Sequence, residues 1–141
     1  MVVENRRRSS LKKDFFYDIF LICPVRNIDP KTREKIESYV KKLEKDGLSV
    51  YYPARDTKQD DPIGFQICES NREAMWNSTE VHIFWDKRSK GSLFDLGMAF
   101  MAEHIIGVPL TIANPEDVET TPEKSFENII QVWSKLYGQQ L

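Results

Sequence analysis

The chain has 141 residues, enough for one domain with a real core and too few for two comfortable ones. Hydrophobic residues make up 40% of it and charged residues 30%, the mix of an ordinary globular domain. A formal net charge of −2 removes any global electrostatic case for binding nucleic acid or a membrane surface. No apolar run approaches a membrane span, and nothing near the start resembles a secretory apolar segment, so a cytoplasmic protein is expected. Cys23 and Cys68 are too few for a disulfide framework and are expected to be reduced. With His82 and His104 they form no cluster at metal-ligand spacing, so neither a metal nor a cofactor is expected.

The elements follow in chain order. Arg6, Arg7, Arg8, Lys12 and Lys13 mark residues 1–14 as a basic arm, either a solvated tail or a contact for a neighbouring subunit or an acidic partner. A single α/β domain is expected over 15–141. Residues 16–23 are aromatic and β-branched enough for a buried first strand. Asp29-Pro30 reads as a cap followed by proline at the first helical position. That helix places Ile36, Tyr39, Val40 and Leu43 on its core face, and Gly47 stops it. Residues 48–52 form a short second strand ended by Pro53, and 54–61 is a loop. Asp61-Pro62 predicts another helix start, with Ile63, Ile67, Asn71 and Met75 on one side. Residues 79–85 are the third strand. A helix over 92–105 is closed by Gly107, and 108–112 is the fourth strand. Thr121-Pro122 predicts the start of a last helix. Its apolar face is Phe126, Ile129, Ile130, Trp133, Leu136 and Tyr137, and Gly138 ends it.

Short, nearly continuous apolar strands separated by helices imply a parallel sheet covered on both faces. The expected fold is a three-layer α/β/α sandwich with a flavodoxin-like (Rossmann-like) parallel sheet. The second strand lies at one edge and the first near the centre. Such sheets bind ligands beyond the carboxyl ends of their strands, where the strand order reverses. The loops expected there are 23–27, 53–61 and 86–92. There is no internal repeat and no low-complexity segment.

The third of these loops opens the segment Ser89-Lys90-Gly91-Ser92-Leu93-Phe94-Asp95-Leu96-Gly97-Met98-Ala99, directly after a strand. A Gly/Ser turn at a helix N-terminus leaves backbone N–H groups free for an anionic or sugar ligand. Asp95 is expected in the first helical turn, either as a carboxylate aimed at that ligand or as an acid suited to the helix dipole. Ser89, Gly91 and Ser92 offer hydroxyl and N–H donors. Arg26 offers a guanidinium that forks onto phosphate or carboxylate, or is a surface arginine. Asp86 reads as a loop-capping acid before a ribose ligand. Asn71 either reaches the pocket or bonds a neighbouring backbone group. His82 reads as a core residue. Trp85 and Phe94 are either base-stacking walls or core residues.

Across roughly residues 18–108 the chain resembles the nucleoside 2-deoxyribosyltransferases and the related nucleoside 5′-monophosphate N-glycosidases. The resemblance rests on Phe20-Leu21-Ile22-Cys23-Pro24-Val25-Arg26, on residues 71–85, and above all on Ser89-x-Gly91-x-x-Phe94-Asp95-Leu96-Gly97-x-Ala99. It implies that Asp95 holds the place of a glutamate nucleophile that attacks the sugar C1′, with Asn71 where a catalytic aspartate stands. Ser89 would hold the 5′ end and Arg26 a 5′-phosphate. The cleft would include Cys23, with Tyr52 and Arg55 as walls of the base pocket. Phe20 stands where the family has a tyrosine. The implied partner is a small-molecule nucleoside or nucleotide, and the implied assembly a homo-oligomer. The function expected is cleavage or transfer of an N-glycosidic bond. The alternative is a non-catalytic protein of the same fold that senses or sequesters a nucleotide. A third possibility is a structural domain with a vestigial pocket.

Overall fold

The structure, a computed structural model, describes residues 16–137. Its elements in chain order are β1 (Tyr17–Ile22), α1 (Pro30–Lys45), β2 (Val50–Tyr51), α2 (Pro53–Asp56), α3 (Phe65–Trp76), β3 (Ser78–Ile83), α4 (Lys90–Ile106), β4 (Leu110–Ile112) and α5 (Phe126–Tyr137), with a 3-10 turn at Pro115–Asp117. All pairings are parallel, and the sheet order is β2-β1-β3-β4. Ile22 lies opposite Ile83, and Ile83 opposite Ile112, so apolar residues stack in register across the sheet. The fold is the expected α/β sandwich of flavodoxin-like type.

Alternation along β1 decides what each face buries. Ile19 and Leu21 pack with Ile36 and Val40 of α1. Phe20 and Ile22 face the other way, onto Ala74 and Met75 of α3, Leu96, Ala99, Ala102 and Ile106 of α4, and Ile130 and Trp133 of α5. The two helical layers are therefore unequal. Three helices cover one face; on the other, α1 is the long helix, joined by Ala54 of the short α2. Where β3 runs on the α1 side it carries a polar chain instead of a second helix. His82 sits between the Tyr39 hydroxyl, 2.5 Å from Nδ1, and the Glu80 carboxylate, 2.6 Å from Nε2. His82 is thus a bonded core residue, as its position inside a strand suggested.

Helix ends show where local chemistry overrides pattern. Asp29 caps α1 by accepting from the Thr32 N–H at 2.8 Å, and Gly47 follows the helix at φ 87°, both as expected. The helix expected from Asp61-Pro62 begins later, at Phe65. The Asp61 carboxylate accepts from Ile63, Gln66 and Ile67, and Gly64 turns the chain at φ 90°. This bend throws Ile63 outward to 88% exposure, so it is not a core residue. The last helix begins at Phe126 rather than near Thr121. Asn128 folds back onto Thr121 and Glu123, and Ser125 becomes the residue that caps the helix. In the expected 54–61 loop, residues 53–56 form a single helical turn. The basic arm and the Gly138 stop lie outside the described residues. Among the described residues no helix is long and apolar enough to cross a membrane.

Candidate functional site

Strand order reverses between β1 and β3, and the chain leaves both strands at the same end of the sheet. There the loop after β1, the loop after β3, the N-terminus of α4 and one side of α3 enclose a cleft of about 720 Å³. Cys23, Arg26, Asn71, Asp86, Ser89, Gly91 and Asp95 all line it. Residues far apart in the chain thus meet as the strand-order rule requires.

Asp95 is the chemical focus. Ser89 caps α4, accepting from the Ser92 N–H at 3.2 Å, so the helix starts at Lys90 and Asp95 falls in its second turn rather than its first. There it is only 7% exposed, and it has no hydrogen-bond or ion-pair partner among the described residues. Burial without compensation disfavours the charged form, and its pKa rises to about 7. Cys23 and Cys68 line the same cleft. Burial first, and then the nearby Asp95 charge, push both thiols up, so both stay protonated at neutral pH.

Asn71 projects from α3, 7% exposed. Its Oδ1 accepts from the Thr57 hydroxyl at 2.7 Å, and Thr57 Oγ1 lies 2.5 Å from the Tyr51 hydroxyl. Asn71 therefore does both things foreseen for it, facing the cleft while bonding a neighbour, although the neighbour is a side chain.

The rim is charged. Arg26 and Lys90 make no hydrogen bond or ion pair with the described residues. Arg88, by contrast, is engaged: its guanidinium bonds both oxygens of Asp86, at 3.1 Å each, and Asp86 also accepts from the Arg88 N–H at 2.9 Å. The hydrogen bonds from Arg88 hold the Asp86 carboxyl below its ordinary range. Asp86 thus shapes its own loop, the capping role its position favoured. The Ser89 oxygen is used by the helix cap, while its O–H points to no protein acceptor among the described residues. A Cβ at Gly91 would meet no atom within 4 Å, so the fold itself does not require glycine there. Asn27 adopts a left-handed conformation at φ 52°, which turns the loop after β1 across the cleft.

Three expected binding residues lie elsewhere. Tyr52 is buried against α1, its hydroxyl 3.5 Å from Glu37. Arg55 is committed to Glu44, Asp56 and the Val50 carbonyl. Tyr52 shares the α1 face with Val50, two residues back along the strand, and the helical turn at 53–56 carries Arg55 back toward α1. Ser92 is fully buried, and its hydroxyl has no partner among the described residues. Trp85 is also no cleft wall: its indole N–H donates to Glu127 at 3.1 Å. Phe20 is fully buried and stacks on Tyr51 at 5.5 Å, behind the cleft. Phe94 does line the cleft, 58% exposed.

Sequence reasoning missed Gln59, Cys68 and Lys90 as lining residues. Cys68 was within reach, since it neighbours Ile67 and stands three residues before Asn71 on the same helix. Gln59 falls in the 53–61 loop expected at this end of the sheet, and bonds from its amide to the Pro53 and Thr57 carbonyls place its side chain. Among the described residues no group of three His, Cys, Asp or Glu side chains could hold a metal. Across known proteins, no family model, curated sequence or solved structure matches the chain.

Proposed function

We propose that the cleft binds a nucleoside or nucleotide and that Asp95 acts as the nucleophile in cleavage or transfer of its N-glycosidic bond. The observation that carries this reading is a carboxyl group with no protein partner among the described residues, buried at the floor of a cleft whose rim holds cations. Such a carboxyl is costly to the fold, and a reacting partner supplied by the ligand accounts for it. In its ionised form Asp95 would attack C1′, the base would leave with the electrons of the broken C–N bond, and water or a second base would release the sugar. Arg26 and Lys90 would hold a 5′-phosphate, assisted by the Ser89 hydroxyl and the free N–H groups at the start of α4. The resemblance of the Ser89 to Ala99 segment to the deoxyribosyltransferase motif supports the same assignment.

The alternative is capture of a nucleotide without turnover. Two observations favour it: Asn71 cannot protonate a leaving base, and Phe20 brings no hydroxyl. We further propose a homo-oligomer and a cytoplasmic setting, with a small molecule rather than nucleic acid as the ligand. Exposed Phe100 and Met101 of α4 and Ile129, Val132 and Leu136 of α5 are the surface a second copy would cover. Phe100 meets Trp133 edge-on at 5.1 Å, which joins the two helices into one patch.

The test is incubation with ribo- and deoxyribonucleosides and their 5′-monophosphates, with and without a free acceptor base, followed by chromatography, with binding read separately as a ligand-induced rise in melting temperature. Released base without acceptor means hydrolysis, and exchanged base only with acceptor means transfer. Binding without either supports the capture protein, and no binding overturns the proposal.

A further inference from the structure

We infer that Asn71 presents a fixed hydrogen-bond donor to the cleft, and that Tyr51 and Thr57 lock it in that orientation. The consequence is a preference for ligands whose base carries a carbonyl oxygen where a competitor carries an amino group. This rests on the nucleotide reading above and deepens it.

Proton counting along a buried chain makes the argument. Tyr51, Thr57 and Asn71 are 6%, 4% and 7% exposed. Their polar atoms stand in line, the Tyr51 hydroxyl 2.5 Å from Thr57 Oγ1 and Thr57 Oγ1 2.7 Å from Asn71 Oδ1. With the amide oxygen toward Thr57, each hydroxyl has a use for its proton: Thr57 donates to Asn71, and Tyr51 donates to Thr57. Turning the amide over breaks this pairing. Asn71 Nδ2 would donate to Thr57, the Thr57 and Tyr51 hydroxyls could then donate only to each other, and one of their two protons would have no acceptor among the described residues. The Tyr51 ring is flanked by the rings of Tyr17 and Phe20, at 5.0 and 5.5 Å. A buried hydroxyl left unbonded bears the full cost of its desolvation, so the first orientation holds.

The amide nitrogen is then the end left for the cleft, and it has no partner among the described residues. An amide NH₂ only donates. Opposite it, a carbonyl oxygen completes a hydrogen bond, whereas an amino group sets donor against donor and leaves both desolvated. Asn71 is in this sense a specificity-determining residue. Tyr51 and Thr57, which do not touch the ligand, are positioning residues.

Matched ligand pairs isolate the effect. IMP and AMP differ by an oxo against an amino group, as do UMP and CMP. Calorimetric titration of the full chain is expected to favour at least one oxo member over its amino partner by about tenfold or more. Thr57→Val removes the hydroxyl that anchors the amide and is expected to bring that ratio close to one, with the oxo ligand still binding within a few-fold. Thr57→Ser is expected to restore it. If Thr57→Val does not fold, Thr57→Ala makes the same test, since it too removes the hydroxyl that donates to the amide oxygen, whereas Tyr51→Phe leaves the Thr57 proton no acceptor but Asn71 and is expected to keep the ratio. Equal affinities within both pairs, or a ratio unmoved by loss of the anchor, overturn the inference and leave the nucleotide reading standing. Failure of all four ligands, and of their deoxyribo and nucleoside counterparts, to bind overturns both.

Discussion

The rim and the floor of the cleft hold opposite kinds of polarity. At the rim, Arg26, Arg88 and Lys90 are exposed, and their charges act through water. At the floor, Asp95, Asn71 and Cys23 are buried, and each polar atom acts at close range in a drier setting. One ligand spanning both would be held at one end by forces that salt screens and at the other by hydrogen bonds that salt barely touches. On the proposed function, the rim would govern capture, and the floor would govern discrimination and chemistry.

The sharpest way to separate the two is at the floor. If the enzyme reading holds, Asp95→Asn is expected to lower turnover by about 10³-fold or more while ligand binding persists, measured by base release alongside calorimetry. Turnover by the native chain should rise with pH through about 7, as the Asp95 carboxyl ionises. Equal rates for the two proteins would remove Asp95 from the chemistry.

The same residue predicts a dependence of stability on pH. The folded pKa of Asp95 lies above that of the unfolded chain, so between about 4 and 7 the folded state binds the extra proton. Stability from this group is therefore present at low pH and is lost as pH rises through the folded pKa. The loss is of order a few kcal/mol, at roughly 1.4 kcal/mol per pH unit. Denaturant titrations at several pH values should show Asp95→Asn losing this decline. Parallel pH curves for variant and parent would break the assignment.

Smaller effects are expected at the rim. Arg26→Ala should weaken a nucleoside monophosphate by about tenfold at low salt, and the parent nucleoside much less. Raising salt should shrink the difference, and an equal loss for both ligands would place Arg26 outside the phosphate end. The smallest effect is reserved for a control beyond the cleft. Arg55→Ala breaks exposed ion pairs to Glu44 and Asp56 and should cost about 1 kcal/mol of stability or less, with ligand affinity within about twofold.

What the sequence disclosed follows the same division. Strand order and the meeting of the loops after β1 and β3 were legible, because apolar runs, Asp-Pro starts and Gly stops are local signals. So were Arg26, Asp86, Ser89 and Asp95 as cleft residues, since they lie at or near the ends of those elements, and Asn71, as the polar residue among Ile67 and Met75 on one side of α3. Arg55 was misplaced because one turn of helix at 53–56 redirects it, and four residues give no periodicity to read; Tyr52 was misplaced although alternation with Val50 puts it on the α1 face. Ser92 was misplaced because two serines competed to cap α4, and only the geometry shows that Ser89 does so. The Tyr51–Thr57–Asn71 chain joins a strand, a loop and a helix, and no spacing rule connects them.

The unequal helical layers have a consequence for how the molecule opens. β1 is paired on both sides, to β2 and β3, and is packed on both faces. Among the described residues β4 is paired on one side only; Leu110 is buried against the three-helix layer, while Thr111 keeps a hydroxyl with no partner among them. Amide hydrogens along β4 should therefore exchange with solvent well before those of β1, through a local opening that leaves the β1–β3 pair intact. The cleft is built at that pair, so its geometry outlasts the fraying of the sheet's edge.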